Sequence, residues 1–86
     1  MPSDLLMPVI HLNGTSKERL IEALCEASNK LNDAYEALKE TAPNGRDYYP
    51  IGPSAIITAQ EQHHSRLRRL DEIKSEIDQI TESIDI

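Results

Sequence analysis

Two long stretches of apolar residues at helical spacing constrain the fold of this chain most. In the first stretch the apolar residues recur every 3 or 4 positions and form a row: Leu20, Leu24, Ala27, Leu31, Ala34 and Leu38. Ile21 and Tyr35 broaden this row. The second row keeps the same spacing and includes one histidine: Ile56, Ala59, His63, Leu67, Leu70, Ile73, Ile77, Ile80 and Ile84. This spacing places each row on one face of a helix. The sequence therefore predicts two long amphipathic helices.

Local signals set the predicted boundaries of these helices. Thr15 followed by Glu18 matches a capping box, so the first helix is predicted over 16–41. Pro43 and the turn-forming pair Asn44-Gly45 end it and open a loop over 42–52. Pro53 suits the first turn of a helix, so the second helix is predicted over 53–84.

Residues 1–15 precede the first helix. Pro2 and Pro8 bound a predicted leader, and the short Val9–Leu12 run predicts an extended segment that can pair with the same segment of another chain. The leader has no basic start, and no apolar run approaches the ~20 residues of a membrane span. With the single Cys25, which suits a packing or bystander role and a reducing compartment, these features predict a cytoplasmic protein.

Size and composition predict the architecture. A chain of 86 residues forms one domain, 1–86, with too small a core to stabilise a large structure alone. The chain has no Phe or Trp, and 38% of its residues are hydrophobic and 28% charged. This composition favours an all-α fold, in which an antiparallel two-helix hairpin assembles into an oligomeric helical bundle. The predicted partner is the chain itself.

The charge is negative overall and unevenly distributed. A net charge of −6 opposes binding to bulk nucleic acid, which requires a broad positive surface. Residues 44–70, however, carry four basic and two acidic residues, whereas 71–86 carry one basic and six acidic residues. The predicted loop therefore belongs to the basic part of the chain.

The first candidate site lies at the start of the first helix. Free amides at a helix N-terminus favour anions, and the side chains around them can donate hydrogen bonds: His11, Asn13, Thr15, Ser16 and Lys17. The alternative is that Thr15 and Ser16 only cap the helix. The spacing does not match a phosphate-binding P-loop.

The second candidate site is the loop Asn44–Pro50, which holds two of the three aromatic residues. Arg46 can form a two-pronged contact with a phosphate, and Tyr48 or Tyr49 can stack on a base or sugar. Asp47 can orient Arg46 or accept a hydrogen bond from a ribose hydroxyl. The alternative is that the tyrosines cover the end of the bundle while Arg46 pairs with Asp47 in water.

His63 lies on the apolar row of the second helix, where a polar group needs a partner. It can form a polar layer that sets the register, donate to a ligand in a central cavity, or hydrogen-bond a backbone carbonyl.

Arg66, Arg68 and Arg69 follow His63 in the chain. They can contact phosphate or form a solvated face in which Glu72 pairs with Arg68 or Arg69. Arg66 has no acid at these spacings, since Gln62 lies four residues before it.

Motifs of catalysis are lacking in the sequence. It offers no Ser-His-Asp or Cys-His arrangement, no zinc-ligand spacing and no Gly-x-Gly-x-x-Gly motif. The sequence therefore predicts a protein that is not an enzyme and has no metal or cofactor.

The two candidate sites meet only if two chains combine. At ~1.5 Å per residue, the predicted first helix separates them by roughly 39 Å. If two hairpins pack head to tail, the loop of one chain lies beside the helix start of the other. A composite pocket would then exist only in the oligomer.

The segments His11–Ser16 and Asn44–Pro50, about a sixth of the chain, resemble segments of short helical proteins that phages and prophages encode. The layout is also similar to that of phage immune-evasion sponges, small oligomers that sequester nucleotide second messengers of bacterial defence. This resemblance implies a non-catalytic sponge for a cyclic oligonucleotide or an ADP-ribose derivative in the host bacterial cytoplasm. The alternative is a structural or adaptor coiled coil whose loop binds a host or phage protein.

Overall fold

A computed structural model describes residues 5–84 and contains three helices in that range: α1 (Lys17–Lys39), α2 (Gly45–Tyr48) and α3 (Ala55–Ile84). No strand occurs between residues 5 and 84, so the all-helical prediction is confirmed. Residues 1–4 of the predicted leader lie outside the described residues. Residues 5–11 belong to no helix and form no strand pairing within the described chain.

The start of α1 differs from the predicted capping box. Ser16, not Thr15, is the N-cap: its backbone is extended, and its side-chain oxygen accepts a hydrogen bond from the Arg19 N–H at 3.3 Å. Both hydroxyl residues precede the same apolar row, and either can cap a helix, so their order alone does not decide between them. At the other end, the Glu40 N–H donates to the Ala37 carbonyl and α1 stops at Lys39, before the predicted residue 41.

Every residue of the predicted α1 row except Ala34 lies on the half-buried face of the helix, together with two polar residues. Its half-buried residues are Lys17, Leu20, Ile21, Leu24, Ala27, Ser28, Leu31, Tyr35 and Leu38. Ala34, predicted on this face, is exposed, and Tyr35 occupies the contact instead. Tyr35 follows Leu31 by four residues and precedes Leu38 by three, so the three side chains lie on one face of α1. The large side chain of Tyr35 fills this face.

The buried face of α3 departs from the predicted row at one position. Ile73 is 51% exposed, while Lys74 is half-buried. Both lie 3 or 4 residues from Leu70 and from Ile77, so the apolar spacing did not distinguish them. The polar contacts of Lys74, described below, keep it on the face that packs on α1.

The beginning of α3 lies two residues after the predicted position. Pro53 and Ser54 form a turn in which the Ala55 N–H donates to the Gly52 carbonyl at 3.2 Å. Gly52 has a φ of 149°, a backbone conformation that residues with a Cβ rarely adopt. The glycine therefore allows the chain to turn sharply into α3.

The helices α1 and α3 pack along each other, and α2 packs on α3. The resulting core is thin: among residues 5–84 the buried side chains are Ala59, His63 and Ile84. The Cα extents are 61 × 25 × 18 Å. Large apolar side chains remain exposed before α1, after α2 and on α3: Leu6, Met7, Val9, Ile10, Leu12, Tyr49, Ile51, Ile57 and Ile73.

Candidate functional site

The Asn44–Pro50 loop folds around a single helical turn. Asn44 is the N-cap of α2: its Oδ1 accepts from the Asp47 N–H at 3.2 Å, and its Nδ2 donates to Asp47 Oδ2 at 3.1 Å. The sequence predicted a loop over 42–52 that opens at Asn44-Gly45, and it did not predict the helical turn within that loop. Asn44 thus caps one backbone amide of the turn, and a second hydrogen bond joins its side chain to that of Asp47.

Arg46 projects from α2 as an exposed side chain. In the described part of the chain it forms no ion pair, so the predicted alternative of an Arg46–Asp47 pair does not occur there. Adjacent residues of a helical turn do not face each other, and the Asp47 carboxylate is turned toward Asn44, whose Nδ2 donates to it. The guanidinium keeps all its donors for another molecule.

The two loop tyrosines have different environments. Tyr48 is half-buried and lines a shallow groove between the loop and the first turns of α3, whereas Tyr49 is 75% exposed. We call this surface the loop groove; its lining residues carry no charged side chain and are Tyr48, Ile51, Gly52, Ser54, Ala55, Thr58, Ala59 and Gln62. The alternative role in which tyrosines cover the end of the bundle fits Tyr48. It does not fit the exposed ring of Tyr49.

The helix-start residues form a compact turn before α1. The Gly14 N–H donates to the His11 carbonyl at 3.1 Å, and the His11 ring lies directly over Gly14. A Cβ on Gly14 would lie 2.8 Å from His11 Nε2, so only glycine permits this contact without a shift. Asn13 and Thr15 are exposed.

Ser16 and Lys17 form the N-terminus of α1 itself. Ser16 Oγ is occupied as the cap of α1, and Lys17 is the half-buried first residue of the helix. Of the predicted donors at this end, His11, Asn13, Thr15 and Ser16 are exposed, and among these four Ser16 already caps α1 through its side-chain oxygen.

The two candidate sites are far apart in one chain. The 23 residues of α1 span about 34 Å at 1.5 Å per residue. The structure therefore brings together Arg46, Asp47, Tyr48 and Tyr49 at one end of α1, and the helix-start residues at the other.

His63 is one of the buried residues, with 3% of its surface exposed. Its Nδ1 has no hydrogen-bond partner within residues 5–84, and its ring centroid lies 6.0 Å from that of His64. The residue does not line the loop groove. His63 is thus a polar ring within the packed face of α3.

The arginines after His63 are placed differently from one another. Arg68 Nε lies 3.9 Å from Glu72 Oε1, as the spacing predicted, and both side chains are about two-thirds exposed. Arg69 Nε donates to the Ser65 carbonyl at 3.3 Å and forms no ion pair with Glu72 in the described chain. Arg66 is exposed. An exposed pair such as Arg68–Glu72 contributes about 0–1 kcal/mol.

A polar cluster between α1 and α3 was missed by the sequence analysis. Ser28 Oγ donates to Asp78 Oδ1 at 2.6 Å, and Lys74 Nζ donates to Asp78 Oδ2 at 2.9 Å. The hydrogen bond from Ser28, followed by that from Lys74, lowers the pKa of Asp78 below its usual value. Lys74 and Asp78 at a spacing of four were a usable signal, but the link to Ser28 joins residues 50 positions apart.

The remaining features do not add a site. Residues 5–84 contain no group of three or more His, Cys, Asp or Glu side chains arranged to hold a metal ion. Cys25 is a free, exposed thiol on α1, which fits the bystander alternative predicted for it and not the packing alternative. Between residues 5 and 84, no helix combines the length and apolar character that crossing a membrane requires.

Comparison of this chain with protein-family models, with curated protein sequences and with solved structures finds no significant match.

Proposed function

We propose that this chain is a non-catalytic binding protein that works as a homo-oligomer and captures an anionic, nucleotide-type molecule. The observation that carries the proposal is the loop: in the described chain Arg46 is exposed and free of ion pairs, and it precedes the exposed ring of Tyr49 by three residues. A guanidinium binds phosphate in a two-pronged manner, and a phenol ring stacks on a base. The Asn44–Asp47 cap holds the turn that presents both.

The thin core supports the homo-oligomer. The accessible surface is 6612 Å², whereas a compact chain of 9.7 kDa exposes about 5,100 Å². The radius of gyration of 18.3 Å likewise exceeds the roughly 12 Å of a compact domain of this length. The excess surface of about 1,500 Å² is larger than the ~800 Å² that each partner contributes to a standard interface.

The length of the link between α1 and α3 supports an antiparallel hairpin. Because Ser28 contacts Asp78, Lys39 and Ala55 lie about 18 Å apart along the axis if the helices are antiparallel, and about 51 Å apart if they are parallel. The intervening 15 residues include α2 and several turns, so they cannot extend to 51 Å. The loop therefore lies at one end of the hairpin and the helix start at the other.

Charge supports a head-to-tail arrangement of two hairpins. In that arrangement residues 44–70, with a net charge of +2, face residues 71–84 of the second chain, which carry one basic and five acidic residues. Each loop then lies beside the partner's helix start. We expect Arg46 and Tyr49 of one chain to share a ligand with His11, Asn13 and Thr15 of the other, whereas Ser16, Lys17, Asp47 and Tyr48 shape the site.

The layout similarity to immune-evasion sponges suggests the ligand class, a cyclic oligonucleotide or an ADP-ribose derivative, and is the basis for proposing that the protein works in the cytoplasm of an infected bacterium. A sponge binds its ligand and releases it chemically intact. The protein should therefore be incubated with a panel of such nucleotides, then separated from free ligand and heated. Chromatography of the released material should recover one nucleotide unchanged at a fixed ratio to the chain.

A matched pair of variants sharpens this test. Arg46→Gln removes the exposed guanidinium, and Lys30→Gln removes one positive charge from the exposed side of α1. We expect a bound nucleotide to raise the melting temperature of the wild type and of Lys30→Gln, and not of Arg46→Gln. Retention of no nucleotide, or recovery of a chemically altered product, would refute the proposed function.

A second candidate function rests on a different observation. Tyr49 and Ile51 are each about three-quarters exposed beside the loop groove, as expected for anchors of a protein interface. An adaptor protein would use them to bind a host or phage protein. In that case Tyr49→Ala should abolish capture of one defined partner, and no nucleotide in the panel should change the melting temperature.

A further inference from the structure

We propose that the arm, defined as residues 6–12, docks into the loop groove of a second copy of this chain and completes the site there. The inference rests on the homo-oligomer of the proposed function and adds which segment makes the contact. The arm is non-helical and apolar, and Leu6, Val9 and Leu12 are 89%, 79% and 98% exposed. Apolar side chains clustered in this way on the surface of a protein mark an interaction site.

The loop groove has the complementary character. Its lining between the loop and α3 is uncharged, and the lining residue Ile51 is 76% exposed. Residues 6–12 also contain no Asp, Glu, Lys or Arg. Docking the arm in the groove therefore buries apolar surface without burying an unpaired charge.

The arm cannot fill the groove of its own chain. Val9 precedes Lys17 by eight residues, so it lies at most about 26 Å from the start of α1 even when the chain is fully extended. The groove lies beyond the other end of α1, which is itself about 34 Å long. The occupant is thus the arm of a second copy, and the head-to-tail pairing brings the two together.

Docking of the arm has a consequence for the binding site. The turn His11–Gly14 begins within the last two residues of the arm and is fixed by the hydrogen bond from the Gly14 N–H to the His11 carbonyl. An arm seated in the groove brings this turn next to Arg46 and Tyr49 of the other chain. The groove without the arm therefore presents only half of the groups that contact the ligand.

Disulfide cross-linking between two distinguishable chains tests the arm directly. Both chains carry Cys25→Ser, because Cys25 is exposed and would react. One chain carries Val9→Cys and the other, with an affinity tag, carries Ile51→Cys; the two are refolded together and oxidised. We expect a mixed disulfide dimer on a non-reducing gel. The matched control replaces Ile51→Cys by Ala34→Cys, an exposed position on α1, and should give no dimer above background.

Light scattering of the Cys25→Ser protein distinguishes failure of the arm proposal alone from failure of the homo-oligomer proposal. If this protein is an oligomer and the Val9–Ile51 pair links no better than the Val9–Ala34 pair, the arm proposal is refuted while the homo-oligomer stands. If the protein is a monomer at all concentrations tested, both the arm proposal and the oligomeric part of the proposed function are refuted.

Discussion

Replacing His63 by leucine should stabilise the protein. His63 is 3% exposed, and its Nδ1 has no hydrogen-bond partner within residues 5–84. A buried polar group without a partner costs about 1–3 kcal/mol, and leucine of similar volume removes this cost. Imperfect repacking after a volume-conserving change costs up to about 1.5 kcal/mol. The net expectation for His63→Leu is an increase of roughly 0.5–2 kcal/mol in the free energy of unfolding.

Urea denaturation monitored by helical circular dichroism measures this change. All variants should be compared at one protein concentration, because the proposed homo-oligomer would couple stability to concentration. The matched control is His64→Leu, since His64 is exposed and its replacement should change the free energy of unfolding by less than about 0.5 kcal/mol. Destabilisation of His63→Leu by more than about 1 kcal/mol would refute the reasoning, because it would mean that the imidazole makes a favourable polar contact.

Two further predictions concern Asp78 and Gly52. The pKa of Asp78 is lowered in the folded protein, chiefly by the hydrogen bond from Ser28. The ionised Asp78 side chain therefore stabilises the fold above the usual aspartate pKa near 4, and this stabilisation is lost as the pH falls through the lowered pKa. Measured by urea titration, Asp78→Asn should therefore lower the free energy of unfolding at pH 7 by about 1 kcal/mol, since the side chain is partly exposed, and by much less at pH 3; an equal loss at both pH values would contradict this role. Gly52→Ala should destabilise the protein by about 1–3 kcal/mol because of its φ of 149°, whereas Gly45→Ala, with open space around the added Cβ, should be nearly neutral in the same urea titration.

The sequence was sufficient for the helical class and for most of the packed faces, because the spacing of apolar residues depends only on the geometry of a single helix. The sequence alone could not predict which of two neighbouring residues caps a helix or lies on its packed face when both satisfy the same local rule. Thr15 and Ser16 are both good caps, and Ile73 and Lys74 both fit the 3–4 spacing. The choice between such neighbours depends on contacts with another part of the chain.

The residues of the candidate site were likewise predicted from the sequence, whereas their exposure and contacts were not. Arg46, Tyr48 and Tyr49 were predicted from residue chemistry alone, since a guanidinium and two rings in a loop stand out in a chain with so few aromatic residues. That Tyr48 is half-buried while Tyr49 is exposed follows from the helical turn of α2, which points adjacent side chains in different directions. Arg46 forms no pair with Asp47 because adjacent side chains of this turn point in different directions, that of Asp47 toward Asn44.

By itself, the sequence determined local properties: the amphipathic period of α1 and α3, the break at Pro43, and the separation of charge along the chain. Only the tertiary structure decided the contacts between distant residues, above all the bond from Ser28 to Asp78 and the burial of His63. The physical reason is the separation along the chain of the residues that each interaction joins. Helix period and capping are set within a few residues, whereas the alignment of α1 against α3 depends on side chains 50 positions apart, whose pairing no local spacing specifies.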